Sequence, residues 1–463
     1  MVARIEIELR EPQKRGKFDD VIIHLYKEDE HYSTNINFDF NPLYSLARDK
    51  ESIAFDFLFF AVLIYNIDRF VNRHIFSLEG WTREIVITNM PVLHVDKFQR
   101  VKAKMDNAIN FLTGDVWNIN YCQSEGILYQ AKENIMNWGD ISVFEKVCLF
   151  SGGLDSLIGA IDELETISQQ KKLFLISHKD LGKEGIDQNN IMTIFSRQHL
   201  YENKYSQIQT SVGIGKKDMG ERIARESTFR SRSLLFIGMG IYVAYKLGRD
   251  IPLVIPENGT IALNIPLMPS RRSACSTRTT HPTFMSRLQD ILFELDITNL
   301  MYNPYELKTK GEMVAESRNP NILRQLINTS CSCAKRSHTH YWDTRGRNIK
   351  HCGMCLPCIY RRVSLYLNGL DDANQYGTDV FNGQRFNIEN LNLKSPRDFR
   401  TLLEFIRRRP SIESIEKELL INGMCEVSRI HEYALVVDRT LDQIIAWVNA
   451  SGNDDIKRKA GIR

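Results

Sequence analysis

The chain opens on alternation. In "RIEIELRE" (4–11) and "DVIIHLYK" (20–27) every second residue is apolar, the period of a strand with one face on a core. The pattern then changes to "IAFDFLFFAVLIYNI" (53–67), which continues to about Arg73 with apolar residues nearly all round and so predicts a buried helix. Asp56 interrupts it and Asp68 and Arg69 follow, which makes the run too short and too charged at its edge for a membrane span. "WTREIVITNMPVL" returns to strand character, and "VDKFQRVKAKMDNAINFLTG" reads as a helix closed by Gly114. Residues 1–145 are thus expected to form a separate α+β domain.

From 146 the pattern becomes strand, turn, helix, repeated. "KVCLF" is followed by a glycine turn and a helix through about Gln169, and "KKLFLISH" by the helix "IDQNNIMTIFSRQHLYE". "YSQIQTSV" is a third strand, "RSRSLLFIGMGIYVAYKLG" a helix, and "IPLVIPENG" a fourth strand ending in turn residues. Apolar strands alternating with helices predict an α/β fold, a doubly wound parallel sheet covered on both faces, with ligands at the carboxyl ends of its strands. This region is assigned to 146–365. Residues 366–463 form a helical C-terminal region, from "SPRDFRTLLEFIRRR", "SIESIEKELLINGM" and "VDRTLDQIIAWVNAS", and the basic end "KRKAGIR" is expected to be a frayed, solvated tail.

Composition narrows the class without naming a partner. The 463 residues suffice for two or three domains, and 43% hydrophobic with 25% charged residues is ordinary for a soluble globular protein. A net charge of +3, spread along the chain, leaves nucleic acid neither implied nor excluded. The start has no h-region or cleavage signal, so a cytoplasmic protein is expected. Of nine cysteines, five fall between 331 and 358, which suits metal ligation in a reducing compartment better than a disulfide framework. Cys122, Cys148, Cys275 and Cys425 are expected to be free and buried.

Two stretches carry chemistry. In "LFSGGLDSLIGA" (149–160), Gly152 and Gly153 let the backbone approach a ligand, and the following helix adds its positive end. Ser151 and Ser156 add hydroxyls, so the turn is suited to phosphate; the Walker lysine is absent. In "SCSCAKRSHTHYWDTRGRNIKHCGMCLPCIYRR", Cys352, Cys355 and Cys358 stand at two-residue spacings with another cysteine about twenty residues upstream, which predicts a closed structural Zn²⁺ site, with an iron–sulfur cluster as competitor. Spacing leaves Cys331, Cys333, His338, His340 and His351 open as the fourth ligand.

Ser-Gly-Gly-x-Asp-Ser after a strand resembles the pyrophosphate-loop family of adenylating enzymes, which cleave ATP between its α and β phosphates. With a four-cysteine site about 180 to 200 residues downstream, the chain resembles the 7-cyano-7-deazaguanine synthases, the QueC family, over about residues 146–365. "RSRSLLFIGMGI" is similar to that family's Arg-Asn-x-x-Phe-Leu helix, with Arg232 at the arginine position and Ser233 replacing the asparagine. "LKTKGEMV" resembles its Thr-Lys-x-Glu-Ile segment through Thr309, Lys310 and Glu312, and "HCGMCLPCIYRR" its cysteine-rich ending. The family's Ser-Cys lead-in favours Cys333 as the fourth ligand beside Cys352, Cys355 and Cys358.

The resemblance implies an adenine-nucleotide alpha-hydrolase-like sheet and a ligase that adenylates the carboxylate of 7-carboxy-7-deazaguanine and couples it to an amine. It implies ATP, Mg²⁺ and Zn²⁺ as cofactors. Ser151, Gly152, Gly153, Asp155, Ser156 and Arg232 would bind nucleotide, and Asp155 and Lys310 would be catalytic. The family's Tyr-Pro-Asp-Cys-Arg segment is missing after the fourth strand. There the chain has "PENGTIALNIPLMPSRRSACSTRTTHPTFM", in which Glu257, Asn258, Arg278 and His281 are candidate substrate-binding residues, with Thr280 a further donor. The first domain resembles the front half of the QueC-like proteins called QatC, found in bacterial anti-phage defence operons. This implies a role in defence, with a protein partner or protein substrate docked by that domain. Two other readings use the same residues: housekeeping nitrile synthesis or tRNA modification, and a non-catalytic nucleotide- and zinc-binding scaffold.

Overall fold

Two sheets divide the work of the chain. The computed structural model describes residues 2–18, 20–78, 80–124, 129–179, 182–197, 201–218, 223–268, 278–336, 338–346, 349–383, 386, 388–389 and 396–462. The strands are β1 (Val2–Leu9), β2 (Val21–Lys27), β3 (Glu30–Phe38), β4 (Ser77–Leu78), β5 (Thr82–Val92), β6 (Val116–Gln123), β7 (Phe144–Leu149), β8 (Lys172–His178), β9 (Tyr205–Thr210), β10 (Val212–Asp218), β11 (Leu253–Val254) and β12 (Met301–Tyr302).

The first sheet has the order β10-β3-β2-β1-β5-β4, with β6 also paired to β5. The alternation in β1 buries Ala3, Ile5 and Ile7 and exposes the residues between them, as the sequence pattern requires. Unforeseen was β10. "YSQIQTSV" breaks at Ser211, and the chain crosses to pair antiparallel with β3, Ile214 against Ile36. A two-sided strand edge on β3 is thereby covered by backbone from the second segment.

The second sheet is wholly parallel, in the order β12-β11-β7-β8-β9. Counted along its own strands this is 5-4-1-2-3, which reverses direction between β7 and β11 and leaves a crevice at their carboxyl ends. The expected fourth strand is short: of "IPLVIPENG" only Leu253 and Val254 pair, and β12, not foreseen, completes the edge.

Between the sheets lie the helices Ile53–Phe70 and Arg232–Leu247. The first is buried at every residue but Arg69, and its Ser52 cap accepts the amide of Phe55. Gly238 lets the two helices close, since a Cβ there would stand 2.8 Å from that of Ala61. One apolar core therefore runs from the first sheet through both helices to one face of the parallel sheet, reaching Phe144, Val147, Phe174 and Ile176. The opposite face is covered by the helices Leu154–Thr166 and Gly182–Phe195. Helix Val95–Thr113 ends on Gly114 in the left-handed conformation, where the sequence placed its stop.

The first segment is tied to helix Arg232–Leu247 by a buried polar knot. Asp68 accepts both the amide and the hydroxyl of Ser231, at 3.0 and 2.7 Å, and Arg83 bridges Asp68 and Asp115 at 2.5 and 2.6 Å. All three charged groups are out of contact with solvent. Arg83→Ala would leave Asp68 without its cation, while Asp115 keeps Arg73, and a loss of about 3–5 kcal/mol in urea unfolding is expected.

Residues 396–462 supply four α-helices, Arg397–Arg408, Ile412–Ile421, Ile430–Ser451 and Asp454–Ala460, which pack with the cysteine region in a second core. The expected frayed tail is instead the last of these helices. Asn453 caps it, Asp454 and Asp455 sit at its positive end and Lys457, Arg458 and Lys459 at its negative end, while Ile456 and Ala460 are buried. Of the four cysteines expected to be free and buried, Cys148 is buried, Cys122 is half-buried, Cys425 is exposed and Cys275 lies outside the described residues. Cys425 follows the surface turn at Gly423, which explains its exposure. Among the described residues no helix is long and apolar enough to cross a membrane.

Candidate functional site

The turn after β7 lies at the mouth of the crevice. Gly152 has φ of +83°, and a Cβ would meet Gln188 Cγ at 3.1 Å, so glycine suits both the backbone and the space. The hydroxyls of Ser151 and Ser156 lie 3.1 Å apart, Gly153 N donates to Ser151 Oγ at 3.3 Å, and Ser156 Oγ donates to the Gly153 carbonyl at 3.1 Å. Helix Leu154–Thr166 begins here and points its first amides at the turn.

Asp155 is buried in the first turn of that helix and gathers three neighbours. Its carboxylate forms an ion pair with Lys310 and accepts from Asn258 Nδ2 at 2.6 Å, and Glu257 hydrogen-bonds to it. Burial pushes the Asp155 carboxyl up, but the Lys310 ammonium and the hydrogen bonds from Glu257, Lys310 and Asn258 more than offset this and hold it below the usual range. Glu257 goes the other way, driven well above that range by burial and by the Asp155 charge beside it. The two carboxyl groups are thus pushed in opposite directions.

Lys310 is buried and opens helix Lys310–Ala315. Thr309 and Glu312 form a reciprocal capping box around it, at 3.1 and 2.8 Å. Helix Ile430–Ser451 holds that box from behind: Arg439 Nε donates to Glu312 at 2.6 Å and Gln443 Nε2 to Thr309 Oγ1 at 2.8 Å. These two C-terminal residues were missed, because nothing local in "VDRTLDQIIAWVNAS" separates them from an ordinary polar face. Asn258 does double duty, since its Oδ1 also caps helix Gly259–Leu263 by accepting from Ile261 N at 3.1 Å.

Helix Gly182–Phe195 links the remaining pieces. Glu184 pairs with Arg232 at 3.2 Å, and Gln188 Nε2 donates to the carbonyls of Ser151 and His178, each at 3.1 Å. Asp187 pairs with Arg336 and, at 2.7 Å, with Lys350. Arg232 is thus joined to the turn through one helix face. Arg278 and His281 lie elsewhere. Arg278 Nη1 donates to the carbonyl of Phe111 at 3.1 Å, and His281 caps helix Pro282–Glu294 and packs edge-on against the Phe111 ring.

Cys333, Cys352, Cys355 and Cys358 form the cluster that the spacing and the Ser-Cys lead-in selected, with all four Sγ atoms within 4.8 Å of one another. Their number, type and closeness suit a tetrahedral ion such as Zn²⁺. The amides of Lys335 and Cys352 donate to Cys333 Sγ at 3.3 and 3.2 Å, and those of Met354 and Cys355 to Cys352 Sγ, both at 3.3 Å. Hydrogen bonds from the thiols of Cys333, Cys355 and Cys358 hold Cys352 well below the usual thiol range, while Cys333 and Cys358 are raised. Gly353, at φ +80°, makes the turn between the paired ligands, where a Cβ would fall 1.9 Å from the Thr378 carbonyl. Cys331 stands apart from the cluster and its thiol faces the Lys350 carbonyl at 3.6 Å.

The cysteine loop and the glycine turn are in direct contact. Cys331 N donates to the Gly152 carbonyl at 3.0 Å, and Ser332 Oγ accepts from Leu154 N at 3.1 Å. Ser332 was not singled out as a site residue, although it is the serine of the Ser-Cys lead-in that pointed to Cys333. Comparison with known protein families, with curated proteins and with solved structures finds no match.

Proposed function

We propose that this chain is an ATP-dependent ligase that adenylates a carboxylate and couples it to an amine. One observation carries the reading: Asp155 and Lys310, 155 residues apart, meet in a buried ion pair beside a glycine turn at the reversal point of a parallel sheet. In the reaction a carboxylate oxygen attacks the α phosphorus, the bond to the β-phosphate oxygen breaks, and pyrophosphate leaves with the bonding electrons. The amine then attacks the acyl carbon, AMP leaves and the amine loses a proton. Turn amides, the Ser151 and Ser156 hydroxyls and Lys310 are donors suited to the charge that develops on the leaving group.

The donor sets fit the expected ions. Asp155 and Glu257 are adjacent carboxyl groups, so Mg²⁺ would find two oxygen ligands there. When bound, it would neutralise phosphate charge. Zn²⁺ would be held by Cys333, Cys352, Cys355 and Cys358 as a structural ion. Resemblance to the QueC family supports a deazaguanine acid such as 7-carboxy-7-deazaguanine as substrate. Resemblance to the QatC-type proteins supports service in anti-phage defence, with a partner protein docked on the first segment.

Incubation with ATP, Mg²⁺ and 7-carboxy-7-deazaguanine, with and without proteins encoded alongside, is expected to yield AMP and pyrophosphate and a mass shift on the acid or on the protein. ADP as the nucleotide product, or no AMP in any pairing, would remove the adenylation reading.

A further inference from the structure

Phe111, near the end of helix Val95–Thr113, collects unusual company. The guanidinium of Arg278 lies 4.3 Å from its ring centroid and that of Arg287 5.0 Å, with the His281 imidazole at 5.2 Å. Arg278 Nη2 donates to Asn422 Oδ1 at 3.4 Å and Arg287 Nη2 to Cys425 Sγ at 3.7 Å. Thr283 Oγ1 donates to the Gly423 carbonyl at 2.9 Å and accepts from Cys425 N at 3.0 Å, which seals this seam between three parts of the chain. Among the described residues neither guanidinium has a carboxylate within ion-pair distance.

Among the described residues, four buried side-chain atoms of Arg278, Thr280, His281 and Asn422 lack a hydrogen-bond partner: Arg278 Nε, Thr280 Oγ1, His281 Nε2 and Asn422 Nδ2. Thr280, His281 and Asn422 are all more than nine-tenths buried, at 8%, 0% and 1% exposure. His281 Nδ1 accepts from Thr283 N at 3.2 Å, so the imidazole proton sits on Nε2. Burial, with the charges of Arg278 and Arg287, pushes His281 down to about 3, which keeps the ring neutral and Nε2 a donor at ordinary pH. Every one of the four atoms donates, and three of them can do nothing else. An oxyanion needs donors alone and would supply the missing negative charge.

We infer that Arg278, Thr280, His281 and Asn422, with Arg287 at the rim, form a binding site for an oxyanion, a carboxylate or phosphate group, at the seam between Phe111 and residues 422–425. Arg278 and Arg287 are half-buried and Cys425 is exposed, so the rim reaches the surface while the four donor atoms lie beneath it. The inference is independent of the Asp155–Lys310 reading, because none of its residues takes part in that cluster.

Cys425 gives a local readout. Its alkylation by iodoacetamide, followed by peptide mass spectrometry, is compared in chloride, acetate and inorganic phosphate at equal ionic strength. An oxyanion beside Arg287 shields the thiol, and slowing of about threefold is expected at a concentration about twice the Kd. Greater slowing by phosphate assigns a phosphate site, and greater slowing by acetate a carboxylate site. Thr280→Val keeps the side-chain shape without the hydroxyl, and His281→Asn keeps a capping acceptor without the Nε2 donor. Compared between salts within each variant, the slowing is expected to vanish in both. Equal rates in all three salts, or slowing that persists in both variants, overturns the site.

Discussion

Lys310→Ala is expected to lower AMP formation by about 10²–10³-fold, the usual effect of removing one donor from a charge-stabilising site. The same change should destabilise the fold, because Asp155 loses the cation that offsets its burial and must either stay as an unpaired buried charge or take up a proton. A loss of about 3–5 kcal/mol is the typical consequence of breaking one side of a buried pair. The two effects are separable. In Asp155→Asn combined with Lys310→Met, no charge is left unpaired, Asn258 still has an amide oxygen to donate to, and most of the stability lost in Lys310→Ala should return. Activity should not return, since neither the ammonium nor the carboxylate is present. Urea unfolding and an AMP assay on the two variants decide the matter. Recovery of both stability and activity in the double variant would make the pair a structural device and remove it from the chemistry.

How much of this site could be read in advance depended on how far apart its parts lie in the chain. The glycine turn, its strand and its helix are contiguous, so residues 144–166 carry their own periodicity and turn chemistry, and the structure follows them closely. The Cys-x-x-Cys spacing is likewise local, and it marked three members of the thiol cluster. Lys310 was placed beside the nucleotide residues by resemblance alone, because no local property of "LKTKGEMV" distinguishes a buried lysine from a surface one. Its ion pair depends on β7 and β11 being neighbours, a fact of strand order that strand patterns do not encode. Strands of two residues, β11 and β12, are too short to show a period at all. β10 was not read as a strand of its own, and its partner β3 lies about 180 residues earlier in the chain, so nothing local marks the pairing. The C-terminal helices were legible as helices. Their use was not, since Arg439 and Gln443 act through the capping box of another segment.

The thiol cluster should matter to the glycine turn as well as to its own loop. Purified protein is expected to carry about one zinc per chain, and Cys355→Ser to lose most of it, with metal analysis as the measure. Structural zinc sites contribute about 10–16 kcal/mol of binding free energy that is also folding free energy, so loss of one ligand should loosen residues 331–358 well before the parallel sheet unfolds. Cys331 N and Ser332 Oγ, which clasp Gly152 and Leu154, lie immediately before the ligand Cys333. A loosened loop releases that clasp, and the affinity for a non-hydrolysable ATP analogue should fall in Cys355→Ser together with the zinc content. Ser332→Ala separates the two causes: it retains zinc and removes one hydrogen bond, for about 1 kcal/mol of stability. Nucleotide affinity that is unchanged in zinc-free Cys355→Ser would show that the turn holds its shape without the loop, and would confine the metal to local folding.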